Sequence, residues 1–214
     1  MDGNNRWSKK NNYKLYDSYI RGSKKLLSIS NYIFSNYETK YITSFALSKN
    51  NLNRPTQKVL TLIKVLENFI NDRNNNLNQY KFNISIIGNL SFLNKQLKKK
   101  IIEFNSENKN YSKSLIILLN YSGQGEILDT VKELVKSKKK INQYNFEKNL
   151  LLNYIPYPDM LIRTGGYNRL SNFMLYQLAF TDFFFTKKLW PEISNKDVDK
   201  FIDAYHKIDR KFGL

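Results

Sequence analysis

From Ser114 to Asn120 the chain reads Ser-Leu-Ile-Ile-Leu-Leu-Asn, an almost unbroken apolar run bounded by polar residues. It is far shorter than the roughly 20 residues that span a bilayer. It also lacks the polar–apolar alternation of a strand with one wet face. Such a run reads as a strand covered on both sides, the environment of a parallel sheet packed between helices.

The rest of the chain supplies the helices. Residues 17–37 place Tyr19, Leu26, Leu27, Ile29, Tyr32 and Ile33 at helical spacing, with Asp17 or Ser18 as cap. Tyr41 to Leu47 reads as a buried strand running into a loop from Ser48 to Asn51. Pro55 opens a helix that reaches about residue 72. Asp72 to Gln79 is an Asn-rich loop, and Phe82 to Ile87 is a strand stopped by Gly88. A helix over Asn94–Glu107 turns Leu97, Ile101 and Phe104 inward. After Ser114–Asn120 come a helix from Glu126 to about Lys138, a short helix at 145–153 and a strand from Asp159 to Arg163. Ser171 to Phe180 reads as helical, Phe183–Phe185 as strand-like, and Asn195–Phe212 as a closing helix. The alternation predicts one α/β domain over residues 1–214, with a central, mostly parallel sheet flanked by helices.

Composition removes several chemistries. With no cysteine and one histidine, His206, the chain has no thiol nucleophile, iron–sulfur cluster or multi-His metal site. No charged segment followed by an apolar one opens the chain, so a cytoplasmic protein is expected. The 35 basic residues against 18 acidic give a net charge of +17, which attracts polyanions. Lysine outnumbers arginine 28 to 7, and a lysine- and asparagine-rich composition produces such a charge without functional cause. The scarce arginines say more, because a planar fork grips phosphate oxygens in two places where an ammonium cannot. Arg163 and Arg169 flank Gly165-Gly166 and precede Ser171-Asn172, which by residue type reads equally as an oxyanion cradle or as an ordinary tight turn with a solvated arginine on each side.

In an open parallel sheet, function collects where strands end and loops enter helices. Three such loops carry Ser48 with Asn51 and Arg54, Asn120 with Tyr121, and Arg163 with Arg169 and Ser171, and they are expected to face one site. The chain start, Met1-Asp2-Gly3-Asn4-Asn5-Arg6-Trp7, adds a carboxylate and an arginine.

These segments resemble a known family. Pro158-Asp159-Met160-Leu161-Ile162-Arg163-Thr164-Gly165-Gly166, continuing through Arg169-Leu170-Ser171-Asn172-Phe173 to Leu189-Trp190-Pro191, is similar to the C-terminal signature of cis-prenyltransferases, the undecaprenyl or polyprenyl diphosphate synthases. Met1 to Trp7 resembles the family's other hallmark, and Ser48-x-x-Asn51-x-Asn53-Arg54-Pro55 a third. Ile86-Ile87-Gly88 and Asn120-Tyr121-Ser122-Gly123 follow in the same order, so the resemblance covers nearly the whole chain.

The resemblance implies a transferase that condenses isopentenyl diphosphate with an allylic diphosphate such as farnesyl diphosphate, making a Z-polyprenyl diphosphate. It implies Asp2 as the essential carboxylate, holding Mg²⁺ against the allylic diphosphate, and Gly3, Asn4, Asn5, Arg6 and Trp7 around that diphosphate. Ser48, Asn51 and Arg54 would line the reacting region, Asn51 as proton acceptor or relay. Arg163, Arg169 and Ser171 would grip isopentenyl diphosphate, and Asp182 would be a second Mg²⁺ contact. Leu60, Ile63, Leu66, Ile116 and Leu118 would wall the channel for the growing chain, although ordinary core packing is the stronger reading of them. A homodimer and peripheral contact with a membrane are implied; a nucleic-acid partner is not, since no signature of one is present.

The chain departs from the pattern at several places. Asn5 stands where the family has glycine, Ser18-Tyr19 where it has Gly-His, Leu15 where it has arginine, and Tyr167 where it has glutamate. The family also has a buried strand before the Asp-Gly-Asn motif. Its absence here is read as an upstream start codon or a sheet without its first strand, the former preferred because a charged Met1 amine beside Asp2 would repel the metal. No Asp-Asp pair occurs, which excludes the trans-prenyltransferase class. The alternative function is an inactive family member serving as a partner subunit, or a remnant.

Overall fold

The computed structural model describes residues 1–72 and 77–209; Arg73 and Arg210, and part of the expected Asp72–Gln79 loop, lie outside them. The elements are α1 (Asn4–Lys10), α2 (Leu15–Asn36), β1 (Tyr41–Ser48), α3 (Thr56–Asn71), β2 (Asn83–Gly88), α4 (Lys95–Ser106), β3 (Ser114–Tyr121), α5 (Gly123–Lys136), α6 (Gln143–Lys148), β4 (Met160–Arg163), β5 (Asp182–Phe185) and α7 (Asn195–His206). Short 3₁₀ turns cover Lys49–Asn53 and Trp190–Glu192. Contacts gather them into two compact units. One comprises Met1–Glu38, Asp159–Asn168 and the segment from Phe180 onward; the other comprises Thr39–Pro158 and Arg169–Ala179.

The second unit holds a three-stranded sheet of order β1-β3-β2, parallel throughout. β3 is its centre, and every residue from Leu115 to Tyr121 is buried, as the apolar run predicts. Each fully buried Leu or Ile there contributes about 1.5–3 kcal/mol. Leu97, Ile101 and Phe104 of α4 are buried, and Asn94 caps that helix by accepting the Leu97 N–H at 2.8 Å. Gly88 closes β2 at φ +136°, where a Cβ would run into the Leu119 carbonyl of the neighbouring strand. Ile116 and Leu118 are core residues, whereas on α3 Leu60 is 51% exposed and Ile63 and Leu66 are half-buried.

In the first unit β4 and β5 form a separate parallel pair, so the described strands make two hydrogen-bonded sheets rather than one. The long helix α2 buries Ser18, Gly22, Leu26, Ile29 and Ser30 on one stripe. Its Gly22 carbonyl accepts the indole N–H of buried Trp190 at 2.9 Å. Tyr32 and Tyr37 both donate to Oδ1 of Asp199, at 2.8 and 2.7 Å, tying α2 to α7.

Several expectations change. α2 starts at Leu15 with Lys14 at its N-cap position, so Asp17 and Ser18 lie inside its first turn instead of capping it. Ser171–Phe180 is a chain of turns, not a helix, because Ser171, Asn172 and Met174 take left-handed φ of 52°, 65° and 41°. α5 starts three residues earlier than expected, since the Ser122 hydroxyl accepts the Gly125 N–H and caps it at Gly123. The short helix expected at 145–153 is α6 over Gln143–Lys148, capped by Asn142, with turns beyond it. The closing helix, expected to reach Phe212, ends at His206 with Lys207 as its C-cap; Phe212 lies outside the described residues. No helix of the described residues is long and apolar enough to cross a membrane.

Candidate functional site

The start of the chain is tied by its backbone to the end of β4. Asp2 N–H donates to Thr164 Oγ1 at 2.9 Å, and the Thr164 hydroxyl donates to the Asp2 carbonyl at 2.9 Å. The Trp190 N–H reaches the same carbonyl at 2.9 Å. With its main chain engaged, Asp2 presents a carboxylate 38% exposed to solvent. Arg163 Nη2 lies 3.2 Å from Oδ2, and Arg6 Nη2 lies 3.6 Å from Oδ1. Arg6 also donates to the Gly165 carbonyl at 2.6 Å. Both guanidinium groups face the Tyr167 ring, with their central carbons 4.9 Å (Arg6) and 5.8 Å (Arg163) from its centroid.

The glycine turn that carries these contacts is strapped from below. Gly165 N–H donates to the Lys188 carbonyl at 2.7 Å and Gly166 N–H to the Thr186 carbonyl at 2.8 Å. Both glycines sit at positive φ, +90° and +80°. A Cβ on Gly165 would lie 2.5 Å from Arg6 Nη2 and 3.1 Å from Asp2 Cβ, so the turn is part of the arginine–aspartate cluster. Lys188 in turn pairs with Asp197 of α7 at 2.7 Å. Burial raises the Asp197 carboxyl, but hydrogen bonds from Lys188 and Ser194 outweigh it and hold its pKa at about 2.

The other N-terminal residues are packed rather than presented. Trp7 is buried, with Tyr13 at 5.0 Å between ring centroids and Arg21 over its ring at 5.0 Å. The fully buried Ser18, in place of the family's glycine, donates to the Asn4 carbonyl at 2.7 Å and pins α1. Asn5 lies within α1 and has no positive φ, so asparagine in place of the family's glycine costs no backbone strain. The Met1 amine is buried, and desolvation lowers its pKa to about 6, with Asp2 raising it and Arg163 lowering it. The repulsion expected of a charged amine beside Asp2 is thereby lessened. Asp182 pairs with Met160 at the start of β5, while Arg163 pairs with Phe185 at the other end. Three residues of strand, roughly 10 Å, separate the two levels.

The second unit carries the remaining predicted residues. Ser48 pairs with Tyr121 in the β1–β3 register, so the loops after these two strands share the carboxyl edge of the sheet. Asn51 lies in the 3₁₀ turn and accepts the Arg54 N–H on its carbonyl at 3.2 Å; the Arg54 side chain is exposed. Arg169 and Ser171 are exposed as well. Asn172 is a clip: Nδ2 donates to Ser122 Oγ at 2.8 Å and Oδ1 accepts the Gln124 N–H at 2.8 Å, fixing the turn to the start of α5. One amide N–H and the amide oxygen are thus committed to structure. Arg163 belongs to the first unit and Arg169 and Ser171 to the second, although only five residues lie between the two arginines. Sequence reasoning missed Thr164 as the partner of Asp2. Its place between Arg163 and Gly165 was the available signal, but no spacing rule predicts a side chain that bonds backbone 162 residues away.

Among the described residues no group of three or more His, Asp or Glu side chains converges on one point. A single accessible carboxylate still fits Mg²⁺, which commonly takes one or two carboxylates and fills its octahedron with phosphate oxygens and water.

The chain matches the family model described as "Putative undecaprenyl diphosphate synthase" over residues 1–213. It belongs to the cis-prenyltransferase family. The reaction of this family is the condensation of isopentenyl diphosphate onto an allylic diphosphate. Among its relatives, an isoprenyl transferase of Fusobacterium nucleatum subsp. nucleatum is 36% identical over 215 residues, covering 100% of this chain and 93% of that protein. A farnesyl-diphosphate-specific ditrans,polycis-undecaprenyl-diphosphate synthase of Buchnera aphidicola is 32% identical over 224 residues, covering 100% and 88%. The crystal structure of lavandulyl diphosphate synthase from Lavandula x intermedia, in complex with dimethylallyl diphosphate, superposes with a TM-score of 0.85 at 28% identity. That match covers 100% of this cis-prenyltransferase and 95% of the lavender chain.

Proposed function

We propose that this cis-prenyltransferase extends farnesyl diphosphate or a similar allylic starter by repeated Z-addition of isopentenyl diphosphate, yielding a polyprenyl diphosphate of the undecaprenyl class. The observation that carries the reading is the Asp2 carboxylate, locked at its backbone and set between Arg6 and Arg163. When the allylic C–O bond breaks, negative charge grows on the leaving diphosphate, and cationic groups already fixed around it lower the barrier. Mg²⁺ bound with that diphosphate would neutralise its oxygens as a Lewis acid. Asp2 would be its principal protein ligand. Asp182, at the other end of the strand pair, is proposed as a secondary contact, and its loss is expected to cost less than that of Asp2.

Arg6, with the backbone of Gly3, Asn4 and Asn5, would hold the allylic diphosphate. Trp7 would shape that region from behind, through its packing on Arg21. Arg163, Arg169 and Ser171 would hold isopentenyl diphosphate. Ser48, Asn51 and Arg54 would line the reacting region, with Asn51 accepting or relaying the proton lost as the new double bond forms. The partly exposed aliphatic face of α3 (Leu60, Ile63, Leu66) offers the growing chain an apolar wall. The dimethylallyl diphosphate bound by the lavender relative supports an allylic substrate here. A homodimer in the cytoplasm, touching the membrane that receives its lipid product, completes the reading; basic side chains favour such a surface.

The test is incorporation of labelled isopentenyl diphosphate with farnesyl diphosphate in mild detergent, with and without Mg²⁺, followed by product-length analysis. Product that requires Mg²⁺ and falls roughly 10²–10³-fold in Asp2→Ala is expected. A folded protein that makes no product would replace this reading with that of an inactive partner subunit.

A further inference from the structure

We infer that Tyr167 is a positioning residue that holds Arg6 and Arg163 in place without consuming their charge; this rests on the reading of Asp2, Arg6 and Arg163 as a diphosphate site. The two guanidinium groups share two attractors. One is the Asp2 carboxylate, which meets Arg163 on one oxygen and Arg6 on the other. The second is the Tyr167 ring, which both guanidinium carbons approach within 6 Å, at 4.9 and 5.8 Å.

Two like charges brought to one carboxylate repel each other, and Asp2 can neutralise only one of them. The negative face of an aromatic ring attracts both cations through its quadrupole while carrying no net charge. The Arg6–Asp2–Arg163–Tyr167 cluster therefore keeps one positive charge for an incoming polyanion. Tyr167 can serve two arginines because its backbone is set by the turn before it. Gly165 and Gly166 are each hydrogen-bonded to the 186–188 segment and each at positive φ, which fixes where the next residue points. Arg163 has little freedom of its own, its side chain being only 13% exposed, whereas Arg6 is 44% exposed. Arg6, already anchored to the Gly165 carbonyl, is the arm whose placement depends more on the ring.

The experiment is calorimetric titration of the full chain with inorganic pyrophosphate in the presence of Mg²⁺, for wild type, Tyr167→Phe, Tyr167→Leu, Tyr167→Glu and Arg163→Ala. Phenylalanine keeps the π face and should bind within about 2-fold of wild type. Leucine fills space without the quadrupole, and about 3- to 30-fold weaker binding is expected at an unchanged melting temperature. Glutamate attracts the arginines but cancels the spare charge, so its binding should be weaker than that of phenylalanine, with the deficit shrinking as salt is added. Leucine binding as tightly as phenylalanine, or glutamate as tightly as wild type, would overturn the role of the ring. If Arg163→Ala still weakens binding in that case, the diphosphate site stands and only this inference falls. A folded wild type with no affinity for pyrophosphate would overturn both.

Discussion

Asp2 and Thr164 hold each other through two hydrogen bonds of 2.9 Å, Thr164 Oγ1 accepting from the Asp2 N–H and donating to the Asp2 carbonyl. Thr164 is buried, so its hydroxyl exists for this contact; its loss strips the Asp2 N–H of its partner, while the Asp2 carbonyl keeps the Trp190 N–H. Thr164→Val, nearly the same in shape, is expected to lower kcat/KM about 10- to 100-fold, corresponding to roughly 1–3 kcal/mol for unmet polar groups. Thr164→Ser should restore most of it. Steady-state kinetics beside a melting curve check this, with the activity loss exceeding what stability predicts.

Gly165→Ala places a methyl group 2.5 Å from Arg6 Nη2 while forcing an L-residue into φ +90°. Backbone strain alone costs about 1–2 kcal/mol. Because the clash is with the tip of Arg6, proposed to hold the allylic diphosphate, KM for the diphosphate substrates is expected to rise about 10-fold or more. Gly166→Ala meets nothing closer than 3.7 Å, at Lys187, and should show mostly the strain, as a lowered melting temperature.

Asn172 tolerates φ 65° and bonds both Ser122 and Gln124 with its side-chain amide. Asn172→Ala removes both bonds and the residue type that best accepts a left-handed backbone. A destabilisation of about 1–3 kcal/mol in denaturant unfolding is expected. Asn172→Asp keeps acceptance from the Gln124 N–H and should lose less.

The Lys188–Asp197 pair supports the glycine turn from α7, and its contribution depends on pH in one direction. The folded pKa of Asp197 lies at about 2, below the ordinary carboxylate value. A depressed folded pKa means the stabilisation is complete above the unfolded pKa of about 4 and is lost as pH falls toward 2. Asp197→Ala also removes the acceptor of the Ser194 N–H at the start of α7, worth about 1 kcal/mol. Thermal melts should show a gap between wild type and Asp197→Ala that is constant from neutrality to about pH 4 and closes between pH 4 and 2.

Much of this molecule was legible in its residues. β3 announced itself because five neighbours in a row, Leu115 to Leu119, are apolar, and burial on both faces leaves no other pattern. α2 and α4 followed from periodicity and the start of α4 from Asn94, whereas α2 begins two residues before the expected Asp17. The family was readable because its hallmarks are short, ordered strings. Such signals are local: each depends on residues within a turn or a strand of one another.

The remainder was decided by contacts that no local pattern encodes. Ser171–Phe180 has helical composition, yet its first residues turn left-handed because the Asn172 side chain and carbonyl are taken up by Ser122, Gly123 and Gln124, some fifty positions earlier. The β4–β5 pair is bonded separately from β1-β3-β2, which alternation of strands and helices does not foretell. Asp2 and Arg163 could each be picked out as a charged residue in a motif. Their salt bridge, the Thr164 clasp beneath it and the ring of Tyr167 beside it arise only when packing brings residues more than 150 positions apart to within hydrogen-bonding distance. The sequence by itself determined most of the longer elements and the chemical types available at the site. Tertiary structure decided which of them meet, because the free energy of a long-range contact is realised only after the helices and sheets that carry it have closed on one another.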